Sequence, residues 1–422
     1  MRVLHLSLTD FRNYTSAEVS LARGPNLFVG SNGQGKTNLV ESLGYLSSLG
    51  SHRVSSDAAL IRQGRDSAVV RARLLADDRE LLAEVQINRS SPNRAQVNRG
   101  AIKPRELPRY FTSVLFAPED LALVRGEPSG RRRFLDELLV ARSPRFAGVQ
   151  TDYERVLKQR NTLLKSARAS GVKAAQLGTL DIWDERLVAL GSELVVARDR
   201  LAADLAPEVA RAYAAVAGAD HAARLSTVLS IRGATPDDET TAAEGPTETI
   251  PADDVPEVFR QALARVRPTE LERGLTLVGP HRDDLFLSLN GLPARGYASH
   301  GESWSFALAL KLASAAVVRV DSPTGDPVIV LDDVFAELDG SRRERLADAV
   351  ADYEQVLITA AVEADVPPRL KAHTVRIARG TIVDEADGAG EAGDVVVDQT
   401  SRPDDEDGGG EPPTETDPEE AR

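Results

Sequence analysis

Residues 26–48 read NLFVGSNGQGKTNLVESLGYLSS, and this stretch decides the fold. Four residues with strand character end at Gly30-Ser31-Asn32-Gly33-Gln34-Gly35-Lys36-Thr37, a complete GxxxxGK[ST] loop, and a helical pattern runs on to Ser48. The spacing has a mechanical reason. Glycines let successive backbone N–H groups turn toward one anion, and the following helix adds its positive end. Lys36 reaches the β- and γ-phosphates, and the Thr37 hydroxyl is a hard oxygen ligand for Mg²⁺. Gly30, Ser31, Asn32, Gly33, Gln34, Gly35, Lys36 and Thr37 are therefore the expected ATP cradle.

A phosphate loop needs an acid at the end of a buried strand. Val328-Ile329-Val330-Leu331-Asp332-Asp333 supplies four apolar residues and two carboxylates. Asp332 is expected to hold Mg²⁺ with Thr37, and Asp333 to orient or deprotonate the attacking water. Taken alone, the run is equally a core strand ending in a capped turn. Nearly 300 residues separate it from the loop, a spacing that argues for a split nucleotide-binding head. Between the two lies Ser299-His300-Gly301-Glu302, opening a helix over 302–318. Ser299 and Gly301 form either a plain helix cap or a second anion site.

Composition bounds the rest. The chain has 422 residues, 42% apolar and 27% charged, with no cysteine and six scattered histidines. Disulfides, thiolate metal sites and cysteine nucleophiles are excluded. The longest apolar stretch, 306–318, is interrupted by Lys311 and reads as too short to cross a bilayer, and no export signal is legible at the start. The expectation is a cytoplasmic protein with no membrane partner. The net charge of −14 is local: residues 384–422 carry −13 and residues 237–257 carry −8, leaving +7 on the remainder. Both acidic segments are expected to be disordered. The basic remainder permits a nucleic-acid partner, and solvated arginine faces give the same sign. Residues 86–109 hold six bases against one acid and read as an arginine-lined strand, turn and strand.

Strands are expected at 2–8, 17–21, 26–29, 66–76, 81–87 and 111–116, then a helical block over 131–216, whose hairpin could extend on the order of 60 Å. A strand-rich return follows from Leu275. The expected division is an N-terminal ATPase lobe (1–130), a helical arm (131–265) containing an acidic linker at about 233–257, a C-terminal lobe (266–383) and an acidic tail (384–422).

This order of parts resembles the ABC-type ATPase heads of the SMC class, and in detail the RecF family of bacterial recombination and repair ATPases. The residues that carry the resemblance are Phe11-Arg12-Asn13-Tyr14, the loop and its helix, PEDLALVRGEPSGRRRFLD from Pro118, GPHRDD from Gly279, and VLDDVFAELDGSRRERL from Val330. It implies an α/β P-loop head of mixed sheets and flanking helices with an inserted helical arm, and ATP and Mg²⁺ as cofactors. It further implies weak DNA-dependent ATPase activity and an ATP-dependent head-to-tail homodimer in which Ser299 and Gly301 meet the nucleotide held by the partner's Lys36. The implied partners are single-stranded or gapped DNA with little sequence preference and RecR- and RecO-type mediators, in RecA loading, replication, recombination and the SOS response.

Some positions depart from such heads. Ser303-Trp304 stands where a Gln pair is common, Asp333 where most ABC ATPases have Glu, and Ala360-Ala361 where a switch histidine would be. The shorter Asp333 implies slow turnover. Glu119 or Asp120 stands in for the missing Q-loop glutamine. Arg12, Asn13 and Tyr14 either touch the nucleotide or form a turn with a packed tyrosine. The arginines to examine for DNA contact are those of 89–109 and Arg131, Arg132 and Arg133. Two other readings compete: a transporter ATPase subunit, which the large helical block opposes, and a nucleotide-gated DNA-bridging protein with incidental hydrolysis.

Overall fold

Three sheets and a set of long helices carry the chain in a computed structural model that describes residues 1–76, 78–170, 178–233, 249–322 and 325–383. The first sheet is antiparallel and six-stranded. It comprises β1 (Arg2–Phe11) and β2 (Tyr14–Ser20), and later β4 (Ser67–Ala76), β5 (Arg79–Asn88), β6 (Arg94–Val97) and β7 (Gly100–Ile102), in the order β2-β1-β4-β5-β6-β7. Its strands alternate: on β4, Ala68, Val70, Ala72 and Leu74 are buried while Arg73 is exposed. One face packs on the core and the other meets water, as the period-2 pattern requires.

The second sheet holds the ends of both nucleotide motifs. β3 (Gly24–Val29), β8 (Ser113–Phe116), β12 (Val328–Asp332), β13 (Gln355–Ala360) and β14 (His373–Ala378) run parallel, and β15 (Thr381–Val383) closes one edge antiparallel, in the order β15-β14-β3-β13-β12-β8. Every residue of β12 and β13 is buried, which explains their unbroken apolar runs. β13 lies between β3 and β12, with Thr359 registered against both Phe28 and Asp332. The phosphate loop and the two aspartates thus leave the carboxyl ends of strands two positions apart, where ligands bind in open α/β sheets. Helix α1 (Lys36–Ser48) fills the space between this sheet and the first one with Leu39, Val40, Leu43 and Leu46.

The expected helical block is realised as α2 (Leu121–Arg125), α3 (Pro128–Arg142), α4 (Phe146–Ser170) and α5 (Gly178–Ala217). It does not project as a free hairpin. α5 spans 40 residues, about 60 Å, but its later part packs along α7 (His300–Asp321), where Tyr213 meets Phe306 edge-on at 5.8 Å. One buried cluster runs from Leu187 and Leu201 of α5 through Phe259 of α6 (Val255–Arg273) to Leu310 and Val317 of α7. The expected boundary at 265/266 therefore falls inside α6. The expected linker also ends earlier than 257: residues 234–248 lie outside the described residues, and Val255 opens α6. The acidic tail after 383 lies outside them too.

Two strand expectations are corrected. β9 (Arg224–Val228), inside the expected helical arm, pairs antiparallel with β10 (Asp284–Leu289), and β11 (Leu292–Pro293) completes a three-stranded sheet. The return from Leu275 is a turn until Asp284. The apolar stretch around 306–318 is also longer than expected. His300–Val320 is long and apolar enough to cross a membrane, with mean hydropathy 1.3, but 78% of that window is buried inside the protein as α7. α8 (Gly340–Val350) packs Leu346, Ala347 and Val350 into the core on the far side of the parallel sheet.

Candidate nucleotide site

The phosphate loop is clamped by close approaches, of backbone at Gly30 and of side chains at Gly35, that leave no space for a Cβ at either glycine. A Cβ on Gly30 would lie 2.2 Å from the Ile377 carbonyl oxygen of β14. At Gly35, φ is 115°, and a Cβ would meet Asn13 Nδ2 at 2.7 Å and the Tyr14 hydroxyl at 2.8 Å. Tyr14 is fully buried and donates to the Gly35 carbonyl at 3.1 Å, while Asn13 Nδ2 donates to the Gln34 carbonyl at 3.2 Å. These residues form a turn with a packed tyrosine that grips the loop from behind. Arg12 bonds both oxygens of buried Glu41 in α1, at 2.8 and 2.6 Å. Burial would raise the Glu41 carboxyl, but the bonds from Arg12 and Ser51 outweigh it and hold it below its ordinary value. Ser31, Asn32 and Gly33 form the exposed outer rim. Lys36, 6% exposed, donates from Nζ to the carbonyls of Gly30 at 2.6 Å and Ser31 at 3.1 Å. Burial lowers its pKa, and the charges of Asp333 and Asp332 oppose that shift.

The two motifs meet as expected. Thr37 Oγ1 donates to Asp332 Oδ1 at 3.0 Å across 295 residues of sequence, and Thr359 Oγ1 donates to the same oxygen at 2.6 Å. Burial raises the Asp332 carboxyl above its ordinary value despite these bonds. Asp333 adopts a left-handed backbone (φ 54°, ψ 22°), with its N–H on Thr359 Oγ1 at 2.9 Å. That conformation is costly for a residue with a Cβ and is characteristic of functional turns. Burial raises its carboxyl too, and Lys36 opposes the rise.

Sequence reasoning missed His52. Its Nε2 is buried without a hydrogen-bond partner and lies 3.9 Å from Asp332 Oδ2. Burial lowers its pKa, while Asp332, Glu119, Glu41 and Asp120 act in the opposite direction. A cavity of about 220 Å³ adjoins it, lined also by Ser51, Glu119, Asp120 and Lys311. Asp120 is committed there, pairing with Lys311 at 3.2 Å and accepting from the Ala117 N–H. Glu119 makes no side-chain hydrogen bond or ion pair among the described residues.

Among the described residues no group of three or more His, Asp or Glu could hold a metal by itself. The hydroxyl of Thr37 and the carboxylate of Asp332 nonetheless fit a hard divalent cation that takes one or two protein oxygens and completes its shell with phosphate and water, the habit of Mg²⁺. The unmet His52 nitrogen beside them fits a hydrated ion equally well.

Ser299 and Gly301 are not brought to this site. Ser299 is exposed and caps α7 in a reciprocal box, its Oγ accepting from the Glu302 N–H at 3.3 Å and its own N–H donating to Glu302 at 2.8 Å. Gly301 lies under the Arg342 guanidinium, where a Cβ would meet a nitrogen at 2.9 Å. Ser303 and Trp304, the departures from the usual pair, are both buried: Ser303 accepts from Arg125 Nε at 3.0 Å and the Trp304 indole donates to His300 at 3.1 Å. Among the described residues no hydrogen bond or ion pair joins Ser299 or Gly301 to the phosphate loop. They form a separate exposed surface beside Tyr297, which is 66% exposed.

The arginines divide clearly. Arg131, a candidate for DNA contact, is 4% exposed and bonds both oxygens of Asp284 at 2.8 and 2.7 Å. It is structural, because its charge is already matched inside the fold. Arg132 donates to the Asp283 carbonyl at 2.8 Å and exposed Arg133 pairs with Glu137. Arg94, Arg99, Arg105 and Arg109 are exposed and make no ion pair among the described residues. The GPHRDD segment now has a physical account. His281 Nε2 donates to the Thr276 carbonyl, so its Nδ1 accepts from the Tyr153 hydroxyl at 2.7 Å. Arg198 donates to the Pro280 carbonyl at 2.6 Å, and Asp283 accepts from both the N–H and the hydroxyl of Ser230 at 2.8 Å. The segment fastens α3, α4 and α5 to the small sheet, and His281 has a structural part in it.

Comparison with known proteins agrees with this geometry. The family described as RecF/RecN/SMC N terminal domain matches residues 2–376. The chain is 69% identical over 389 residues to the DNA replication and repair protein RecF of Clavibacter michiganensis, covering 91% of this chain and 96% of that one. It is 54% identical over 387 residues to RecF of Frankia alni, covering 91% and 99%. A solved structure of the recombination mediator protein RecF with ATP, of the RecFOR pathway, superposes with a TM-score of 0.78 at 26% identity, covering 90% of this chain and 96% of that one. A phosphate loop and an acidic strand end joined through Thr37, Thr359 and Asp332, in a head with this family match and these relatives, place the chain in the RecF family of SMC-like P-loop ATPase heads.

Proposed function

We propose that the chain is an ATP-binding protein of DNA replication and recombinational repair that hydrolyses ATP slowly and acts as a head-to-tail dimer on DNA. The observation that carries this reading is the separation of two half-sites. Lys36, Thr37, Asp332 and Asp333 converge at one end of the parallel sheet, while Ser299 and Gly301 open an exposed helix N-terminus with no bond to them. A second copy turned to face the first supplies the missing half to each.

The residues then divide the work. The N–H groups of the loop and Lys36 hold the β- and γ-phosphates, Lys36 exchanging its carbonyl partners for phosphate oxygens. Thr37 and Asp332 hold Mg²⁺, which supplies charge neutralisation across the phosphates. Asp333 orients the attacking water and accepts its proton; its raised pKa improves it as a base, while its short side chain and strained backbone keep turnover slow. Ser299, Gly301 and the N-terminal end of α7 close on the γ-phosphate bound by the partner copy. Exposed Arg94, Arg99, Arg105 and Arg109 track DNA phosphates with little sequence preference. Aromatic residues are 5% of the chain, too few for an extended stacking platform. RecR- and RecO-type mediators, in keeping with the RecFOR pathway of the solved relative, complete the proposed setting together with the loading of RecA.

The test is mass by light scattering with ATP, with ADP and without nucleotide. The wild type is expected to dimerise only with ATP, and Lys36→Met to stay monomeric while keeping the wild-type melting temperature to within a few degrees. Dimers of Lys36→Met on ATP addition would refute the nucleotide-sandwich reading.

A further inference from the structure

Asp332 uses one carboxylate oxygen for both of its protein donors. Thr37 and Thr359 bond Oδ1, and among the described residues no hydrogen bond reaches Oδ2. The atom that faces Oδ2 is His52 Nε2, at 3.9 Å, too far for a hydrogen bond. That nitrogen is buried and unpartnered, which is uncommon in a folded chain and calls for a partner beyond the protein. Two polar atoms 3.9 Å apart are spaced so that one water can sit about 2.8 Å from each. Such a water fits best as one with both protons to give, because Oδ2 accepts and an imidazole whose proton is on Nδ1 presents Nε2 as an acceptor. A metal-bound water is of that kind: its lone pair is on the cation and both protons point away.

We propose that His52 is a positioning residue of the metal site, its Nε2 accepting a hydrogen bond from a water in the divalent cation's shell whose other proton goes to Asp332 Oδ2. The inference rests on the assignment of Thr37 and Asp332 as the metal ligands. It gives this head a feature near the place of the missing Q-loop glutamine: an imidazole from the turn after α1 steadies the cation through water. Outer-shell partners of this sort typically change metal affinity by about 10–100-fold when removed.

The test uses the full chain with a non-hydrolysable ATP analogue and Mn²⁺ in place of Mg²⁺, with free Mn²⁺ read by electron paramagnetic resonance. His52→Ala is expected to weaken Mn²⁺ binding by about tenfold or more, to leave analogue affinity in EDTA unchanged, and His52→Gln to restore most of the loss. His52→Phe, which keeps the volume and removes the nitrogen, takes the place of the alanine variant if that one fails to fold. Wild-type Mn²⁺ affinity in the nitrogen-free variant would overturn the proposal, and so would an equal loss of analogue affinity in EDTA. Asp332→Asn separates the two levels: if it leaves Mn²⁺ affinity intact, the metal-ligand assignment fails, whereas loss there with none at His52 defeats only the present inference.

Discussion

Gly30 has a Cβ-sized space already occupied by the Ile377 carbonyl, so Gly30→Ala must push the loop off β14. The expected result is a loss of nucleotide affinity of at least about tenfold, or 1.4 kcal/mol, with a lowered melting temperature; calorimetric titration with an ATP analogue checks it. An unchanged affinity would mean the loop tolerates that shift. The residues of the loop were legible in the sequence because their spacing is local and chemically specific. Asp332 and Asp333 were legible because a phosphate loop calls for an acid at the end of a buried strand, and the run 328–333 supplies that pattern. His52 and Glu41 were not. Their meaning lies in partners remote in sequence or in kind, Asp332 for one and Arg12 for the other, and a lone histidine between Ser51 and Arg53 carries no spacing signal. The polar run Ser51-His52-Arg53, directly after the helix of the loop, was the only available hint.

At the level of elements, the arm is held by buried charges rather than by apolar contact alone. Arg160 of α4 is fully buried and bonds Asp184 of α5 at 2.6 Å and Glu270 of α6 at 2.7 Å, tying three helices at one point. Arg131 does the same for α3 and β10. Removing one partner of such a pair leaves an uncompensated charge, so Arg131→Ala should cost about 3–5 kcal/mol by chemical denaturation. Among folded molecules it should leave the salt dependence of DNA binding unchanged. Replacing exposed Arg94 or Arg99 by alanine should do the reverse: no measurable change in stability, and a decrease of about one in the slope of log affinity against log salt.

Asp283 gives this network a pH signature. Burial raises its carboxyl to about 6, above the unfolded value, so its stabilising contribution is complete below about pH 4 and is lost as pH rises through 6. His281, lowered to about 4 by burial, works in the opposite direction and loses stability as pH falls from about 6.5 toward 4. Asp283→Asn keeps an acceptor for Ser230 and removes the buried anion. It should therefore raise the melting temperature at pH 7.5 relative to wild type, with the difference shrinking toward pH 4. A difference independent of pH would mean Asp283 is not the titrating group. The helical character of 131–216 was legible from apolar spacing, though not its division into separate helices. The pairing of β9 with β10, the passage of α6 across the expected boundary and the docking of α5 on α7 were not, because each depends on contacts between segments far apart in sequence.

For the whole molecule, the charge and the motif order point the same way. The acidity is concentrated in segments lying mostly outside the described residues, and the head that remains is basic with exposed arginines on β6 and the turns beside it. The order of loop, capped helix and acidic strand was enough to read a split head. Within one chain no hydrogen bond or ion pair among the described residues joins the Ser299 surface to the phosphate loop, and the proposed head-to-tail pair would bring Ser299 of one copy to Lys36 of the other. Mixing two defective chains tests that claim most directly. Lys36→Met lacks the loop's cation and Ser299→Arg blocks the opposing surface, so each alone should have no ATP turnover above background. Mixed in equal amounts, at concentrations that favour dimers, they should regain turnover through the heterodimer, which contains one intact composite site. Full turnover by Ser299→Arg alone, or no recovery in the mixture while the wild type is active at the same concentration, would contradict a site shared between chains.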